Sequence, residues 1–511
     1  VNQTPFLILM HARYDRYYIE NLSALREWSS GEETIYTRKL LIVDEAPNLM
    51  KVSTLSTSVI AACEGMISTH EPSYNPSLDK QKRTLLSDLN FSLRIPFQKL
   101  LRQYKANGNR IAVATPNDLG EEVFDWSKLY LFCDQLERYA GPRSDDIIET
   151  IRVLSKQPAA YQIGQEHELT VPHCRPFDTR EDLHTFILSG SAFLSPELFD
   201  NPEIDILPAS VQESYQRLTI HVQRSDTQFS VSKTAMTNKT TRNVLTVWLK
   251  NKLSGMAGHK VLVVTYKGYA KELWDALSEF HDRLIPLQAD DNSGPKESLP
   301  YFGGMNGSNR YNEADCVICA GLGRFDSEEY FNRALAFDFN GSAWDEFEQA
   351  CLDPSFQNKD KLACVQQMRN KTMARDLVQL VFRSTLRNHN GTEPVSLWLI
   401  QPPEEVVMHV RESFRDCQHD EISELPFECL SELAAGRTFQ GKPTHASKLL
   451  KWLADWDGSP ILIAEVQGQL GMKPGQWKEA RKNAAVKEAF KHIETDGSGK
   501  NCKIKRSENV E

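Results

Sequence analysis

Along the chain, short runs of branched aliphatic residues stop abruptly at small, polar or acidic ones. Residues 5–14, PFLILMHARY, end in His11, Ala12 and Arg13. Residues 40–47, LLIVDEAP, pass from four aliphatic residues straight into Asp44 and Glu45. Residues 186–193, FILSGSAF, open into Ser189, Gly190, Ser191 and Ala192. Residues 259–277, HKVLVVTYKGYAKELWDAL, have the pattern of a strand, a turn and an amphipathic helix. A Gly- and Asn-rich loop from Tyr301 runs into a last apolar stretch, Cys316 to Ala320. Apolar runs of this length without alternation predict strands buried on both faces, as in parallel α/β sheets.

Helical spacing dominates between the second and third of these runs. Apolar residues recur three and four apart over 85–106 and 125–140, so the interval 63–180 is expected to be a helical insertion, leaving Asp44 and Ser189, 145 positions apart, in one sheet. In DLVQLVFRSTLRN (376–388), Gln379, Arg383 and Arg387 stand at i, i+4 and i+8, which on a continuous helix stacks them on one face. Residues 459–493 have the cadence of helix, tight turn at Gly471 to Pro474, and a second helix opening with Gln476, Trp477 and Lys478. That is a helix-turn-helix pattern, in which the second helix enters the major groove.

Composition narrows the picture further. A chain of 511 residues exceeds what one hydrophobic core spans, so several domains are expected. No apolar run approaches the roughly 20 residues that cross a bilayer, and a cytoplasmic protein without membrane partners is expected, its ten cysteines reduced. The net charge of −10 gives the whole chain no bias toward nucleic acid, yet Lys473 to Arg506 holds ten bases against four acids. Cys316 and Cys319 have metal-like spacing but lack a second pair, and three residues apart on a strand they face opposite sides; they are expected to be core thiols. The string GRTFQGKP (436–443) imitates a phosphate loop but has Pro443 where the metal-binding hydroxyl belongs, and is expected to be a turn.

An acidic doublet at a strand end suits nucleotide hydrolysis: the Asp helps hold Mg²⁺ across the phosphates and the Glu acts on the attacking water. With the other motifs in this order, the chain resembles the superfamily-2 helicases, over residues 1–62 and 180–405. Val43 to Pro47 resembles their DEAx box, Ser189 to Ala192 the Ser-Ala-Thr motif, Val261 to Lys267 the first strand of the second domain, Gly307-Ser308-Asn309 the loop that touches nucleic acid and nucleotide, and Gln379, Arg383 and Arg387 the arginine-finger motif. The family's pattern differs at Phe382, where a Gly is usual, and at Arg387, one residue late. No phosphate loop precedes Asp44; a preceding segment or a separate chain is expected to supply it.

The resemblance implies an α/β fold of two RecA-like parallel-sheet domains, the first incomplete, with a helical insertion and a C-terminal winged-helix-like module. The expected division is 1–62 and 181–235 for the first domain, 63–180 for the insertion, 236–410 for the second domain, 411–455 for a linker and 456–511 for the winged-helix-like module. It implies an ATP-dependent DNA helicase or translocase with ATP and Mg²⁺ as cofactors, DNA favoured over RNA as partner. Asp44 would hold Mg²⁺, Glu45 act on water, and Gln379, Arg383 and Arg387 serve the γ-phosphate. Ser189, Ser191, Gly307 and Asn309 would line the nucleotide, and Arg13, Thr265, Lys267, Ser308, Gln476, Trp477, Lys478, Arg481 and Lys482 would contact nucleic acid. The alternative is a DNA-binding scaffold on the same fold with a decayed ATPase site.

Overall fold

The computed structural model describes residues 27–29, 35–37, 40–44, 49–69, 76–106, 111–120, 123–163, 167–174, 184–189, 191–207, 213–224, 229–288, 295–305, 311–353, 355–356, 358–388, 390–426, 428–430, 438–439, 442–497 and 502–506. The chain forms two compact units, one of residues 1–208 with 325–372, the other of 209–324 with 373–511.

In the first unit, β1 (Glu27–Ser29) and β2 (Ile35–Thr37) form an antiparallel pair. β3 (Leu40–Asp44) is followed by β4 (Met50–Ser56), β5 (Ile111–Ala114), β6 (Ala159–Ile163), β7 (His167–Cys174) and β8 (His184–Leu188). β3 and β8 lie side by side in parallel, Leu40 opposite His184 and Asp44 opposite Leu188. The segment between them contains helices at Thr57–Thr69, Pro76–Asp88, Ile95–Ala106, Trp126–Ala140 and Asp145–Leu154. A π-turn at Leu89–Arg94 precedes Pro96, whose missing N–H cannot complete a regular helical turn.

The insertion is not wholly helical. It also builds a four-stranded antiparallel sheet in the order β4-β7-β6-β5. Its strands are short and carry Ser, Thr and Pro172 among their apolar residues, which hid their period of two. Alternation along β5 sends Ala112 and Ala114 into a core with Leu55, Phe97, Phe132 and Ile151. Ile111 and Val113 pack against a second core with Tyr330, Phe331 and Phe347. That second core comes from 325–372, whose helices Ser327–Ala336 and Ser342–Cys351 cover the other face of the sheet. Residues 325–372 therefore group with the first unit and not with the rest of 236–410.

The second unit is built on a parallel sheet of five strands: β9 (Leu218–Gln223), β10 (Val261–Val264), β13 (Cys316–Cys319), β14 (Val395–Ile400) and β15 (Gln418–Ile422), in the order β10-β13-β14-β9-β15. A two-residue ladder, β11 (Leu287–Gln288) with β12 (Pro295–Lys296), interrupts the connection from β10 to β13. The expected α/β character with a parallel sheet is what the structure shows. The boundary differs, since Leu218–Gln223, expected within 181–235 of the first domain, pairs in this second sheet.

Within the false phosphate loop, Thr438–Phe439 (β16) pairs antiparallel with Lys442–Pro443 (β17). Beyond it come the helix His445–Asp455, β18 (Ile461–Leu462), helices Ile463–Leu470, Pro474–Ala480 and Ala484–Ala489, then β19 (Ile493–Asp496) and β20 (Lys503–Arg506). These last strands form an antiparallel sheet ordered β18-β20-β19. Leu449, Leu453, Val466, Trp477 and Ile504 belong to the same continuous core as Trp248, Val263 and Ile318. Among the described residues no helix is long and apolar enough to cross a membrane.

One ion-pair cluster ties the insertion's sheet to its helices. Glu149 bonds His173 Nε2 at 3.3 Å and pairs with Lys51, which also reaches Asp146 at 3.6 Å. The hydrogen bond from His173 and the Lys51 ammonium outweigh partial burial and hold the Glu149 carboxyl near 2, against 4.5 ordinarily. A carboxylate with a depressed folded value adds stability above its unfolded value and loses it as pH falls toward the folded one. Glu149→Gln is therefore expected to lower the thermal midpoint at pH 6, with the gap to the native chain narrowing as pH drops from 4.5 toward 2. A gap unchanged at pH 3 in thermal denaturation followed by circular dichroism would exclude this linkage.

Candidate functional site

Of the acidic doublet, the structure describes Asp44. Asp44 closes β3, and the parallel register sets it opposite Leu188, immediately before Ser189. Two chain segments 145 positions apart thus end on one sheet edge, the carboxyl edge at which α/β sheets bind ligands. Glu45 and Arg13 lie outside the described residues. Past Ser189 the chain turns sharply: Ser191 is buried, and its carbonyl accepts the Leu194 amide at 3.0 Å and the Ser195 hydroxyl at 3.4 Å. Ser191 is thus an anchor for this turn, while Ser189 is half-buried beside Asp44's strand. Register and alternation put Leu40, Ile42, Phe186 and Leu188 on one face of the pair, each about half exposed.

At the carboxyl edge of the second sheet, Thr265 is fully buried, and its hydroxyl donates to the Ala320 carbonyl at 3.2 Å. It is a packing residue that joins β10 to β13 and does not face a ligand, a correction to its expected nucleic-acid contact. Lys267, two residues on, is exposed, with its ammonium 5.8 Å from the centre of the Tyr301 ring. Gly321 has φ +129°, and a Cβ there would lie 2.7 Å from the Tyr266 ring, so only Gly fits. Gly307, Ser308 and Asn309 lie outside the described residues.

Connections from β9 and β14 leave in opposite directions, which makes the gap between their carboxyl ends the switch point of this sheet. Gln223 ends β9. Its side chain is wholly buried, donates to the carbonyls of Ile422 and Glu424 at 2.9 Å, and accepts the Trp248 indole N–H at 3.1 Å. No feature of the sequence around Gln223 marks this role, because its partners lie on β15, its following loop and a helix far along the chain.

The three residues expected on one helix face are arranged differently. The helix Ala363–Val381 carries Gln379 and then ends; Phe382 to Ser384 turn, and Thr385–Arg387 form a single 3₁₀ turn. Continuation is blocked locally. The Ser384 hydroxyl accepts the Leu386 amide at 3.2 Å, and the Thr385 amide donates to Ala314 at 2.8 Å. Arg383 and Arg387 therefore leave the helix and stand by the amino ends of β13, β14 and β9, where Ala314, Val395 and Arg217 lie.

In the C-terminal module Trp477 is buried, its ring 6.1 Å from Phe490 in an edge-on contact. It holds the helices together and is not available to nucleic acid, contrary to expectation. Gln476 accepts the Lys473 amide at 2.9 Å and so caps the helix that carries it. Lys478, Arg481 and Lys482 are exposed; Arg481 lies 4.5 Å from the Phe490 ring centre, and Lys482 pairs with Glu479 at 2.7 Å.

Cys316 and Cys319 are core thiols, both pushed up by burial, Cys319 to about 12. Among the described residues no group of His, Cys, Asp and Glu side chains could by itself hold a metal. No protein-family model matches the chain, and no curated protein matches it either.

Trp477→Ala is expected to cost about 3–5 kcal/mol, as truncations of buried aromatics do, whereas Lys478→Ala should stay within about 0.5 kcal/mol. Urea denaturation of the two variants checks this; equal midpoints would contradict the burial of Trp477. Gln223→Leu, which strands the buried Trp248 indole N–H and removes the donor to the Ile422 and Glu424 carbonyls, is expected to lower stability by on the order of 3 kcal/mol in the same measurement.

Proposed function

We propose that the chain acts as a superfamily-2-like, ATP-dependent DNA helicase or translocase, its two units built on RecA-like sheets and residues 456–511 a winged-helix-like module. The observation that carries this reading is the parallel pairing of β3 with β8, which sets Asp44 and Ser189 at neighbouring strand ends despite 145 residues of intervening sequence. The five-stranded parallel sheet supports it, as does the order of helix, strand, three helices and two strands from His445, closed by the β18-β20-β19 sheet.

In this reading Asp44 holds Mg²⁺. A hard cation that keeps several of its waters asks for only one or two carboxylates plus phosphate oxygens, and Asp44, at the carboxyl end of β3, would supply one. When bound, Mg²⁺ neutralises phosphate charge during phosphoryl transfer. Glu45 orients the attacking water and takes its proton. Arg383 and Arg387 provide positive charge for the γ-phosphate, and Gln379 steadies their turn. Ser189 senses the nucleotide through the strand it terminates. Lys267 on one sheet edge, and Lys478, Arg481 and Lys482 on the C-terminal module, contact DNA phosphates. The phosphate loop comes from a segment that precedes Asp44 or from a partner chain.

In the protein with its phosphate loop present, Glu45→Gln is expected to abolish DNA-stimulated ATP hydrolysis while nucleotide binding persists; undiminished turnover would refute the role given to Glu45. Lys478→Ala should weaken DNA binding about equally across sequences and shallow the slope of log K against log salt by about 1, measured by fluorescence anisotropy. A slope indifferent to Lys478 would remove the module from the DNA interface.

A further inference from the structure

The turn that bears Arg383 and Arg387 is held by a short lead-in to β9 that no sequence motif marks. Arg217, directly before β9, donates through Nη2 to the carbonyls of Thr385 at 2.9 Å, Leu386 at 2.9 Å and Asn388 at 2.7 Å. Its Nη1 reaches the Glu393 carbonyl at 3.3 Å. A planar guanidinium is suited to this, since its fixed fork can serve several carbonyls that a flexible ammonium, a point charge with three donors, cannot span. Two residues earlier, Tyr215 packs its ring edge-on against Phe382 at 5.8 Å and Phe414 at 5.2 Å; the Phe382 and Phe414 rings are 5.3 Å apart. The residue that departs from the family's Gly is thus the one that Tyr215 grips.

Gly391 leaves the space this arrangement needs: a Cβ there would stand 2.9 Å from Arg217 Nη1 and 3.1 Å from the Asn388 carbonyl. The Thr385 amide bond to Ala314 secures the turn from the β13 side. A helix face would have fixed the two arginines by its own hydrogen bonds. Once the helix stops at Val381, that ordering has to come from elsewhere.

We propose that Arg217, with Tyr215 behind it, is the positioning residue for the arginine-bearing turn 383–387, setting the direction of both guanidinium groups without touching nucleotide itself. The proposal rests on the reading of Arg383 and Arg387 as γ-phosphate ligands for its functional consequence, but the clamp can be tested apart from it.

The test uses the full chain and three variants, Arg217→Ala, Arg217→Lys and Gly391→Ala, the last retaining every side chain of the clamp in case loss of Arg217 prevents folding. The first readout is the rate of trypsin cleavage after Arg383 and Arg387 in the native state, with the thermal midpoint measured alongside. Arg217→Ala and Gly391→Ala are expected to raise cleavage about tenfold at a nearly unchanged midpoint, Arg217→Lys by less. The second readout, in the protein with its phosphate loop present, is hydrolysis: kcat should fall with KM for ATP little changed, and Arg217→Lys should recover part of it. Cleavage rates equal to the native chain's in Arg217→Ala and Gly391→Ala would overturn the clamp. Faster cleavage with hydrolysis unaffected, even in Arg387→Ala, would uphold the clamp and refute the arginine-finger reading instead.

Discussion

Parallel strand pairing governs this molecule. Antiparallel neighbours can be joined by two residues, whereas parallel neighbours need a crossover of a dozen or more. Between β3 and β8 that crossover has grown into a body of its own, an antiparallel sheet with helices on one face and residues 325–372 on the other. What survives the excursion is the register that places Asp44 opposite Leu188. A slip of one position would turn every side chain of β3 to the other face, so the apolar residues on both strands that keep the register also keep the acidic end in place.

The strands that could be recognised in advance are those with nothing but aliphatic residues. Val261–Val264 and Cys316–Cys319, buried throughout, form as expected because a strand buried on both faces tolerates no alternation, and Leu40–Asp44 forms as well although Leu40 and Ile42 are half exposed. β9 escaped notice for the opposite reason. Its sequence, LTIHVQ, alternates apolar with polar residues, yet Gln223 is wholly buried. His221 is mostly buried too, stacked on Trp398 at 4.2 Å with Asp420 2.6 Å from its Nδ1. Polar groups inside a sheet are acceptable when distant partners satisfy them, and partners from β14, β15 and beyond cannot be counted along a sequence. β4 and β7 were obscured by Ser, Thr and Pro172 in the same manner.

The arginine motif shows a second limit. Counting i, i+4 and i+8 presumes that the helix continues, and whether it continues is decided by competition for backbone groups. Here the Ser384 hydroxyl, the Ala314 carbonyl and the Arg217 guanidinium all bind the segment after Val381. Side chains of the Ser type divert backbone amides from helical bonding, and a guanidinium gathering the carbonyls of Thr385, Leu386 and Asn388 removes acceptors a further helical turn would use. The basic C-terminal tail was easier to read, but not its internal division. Lys482, Lys491 and Lys505 each pair with an acid within 3 Å, while Lys473, Lys478 and Lys487 point outward without alternation toward the core. The pairs of Lys482 and Lys505 are exposed, worth little and screened by salt, whereas Lys491 neutralises the buried Glu488.

The two edges of the five-stranded sheet carry different chemistry, and this assigns them different tasks. At the carboxyl edge, Gln223 closes the end of β9 against β15 through its bonds to the Ile422 and Glu424 carbonyls and accepts the Trp248 indole N–H. Such a group is costly to orphan, which makes the closure durable. At the amino edge, by contrast, two guanidinium-bearing residues are delivered on a turn that the sheet's own first strand helps to hold.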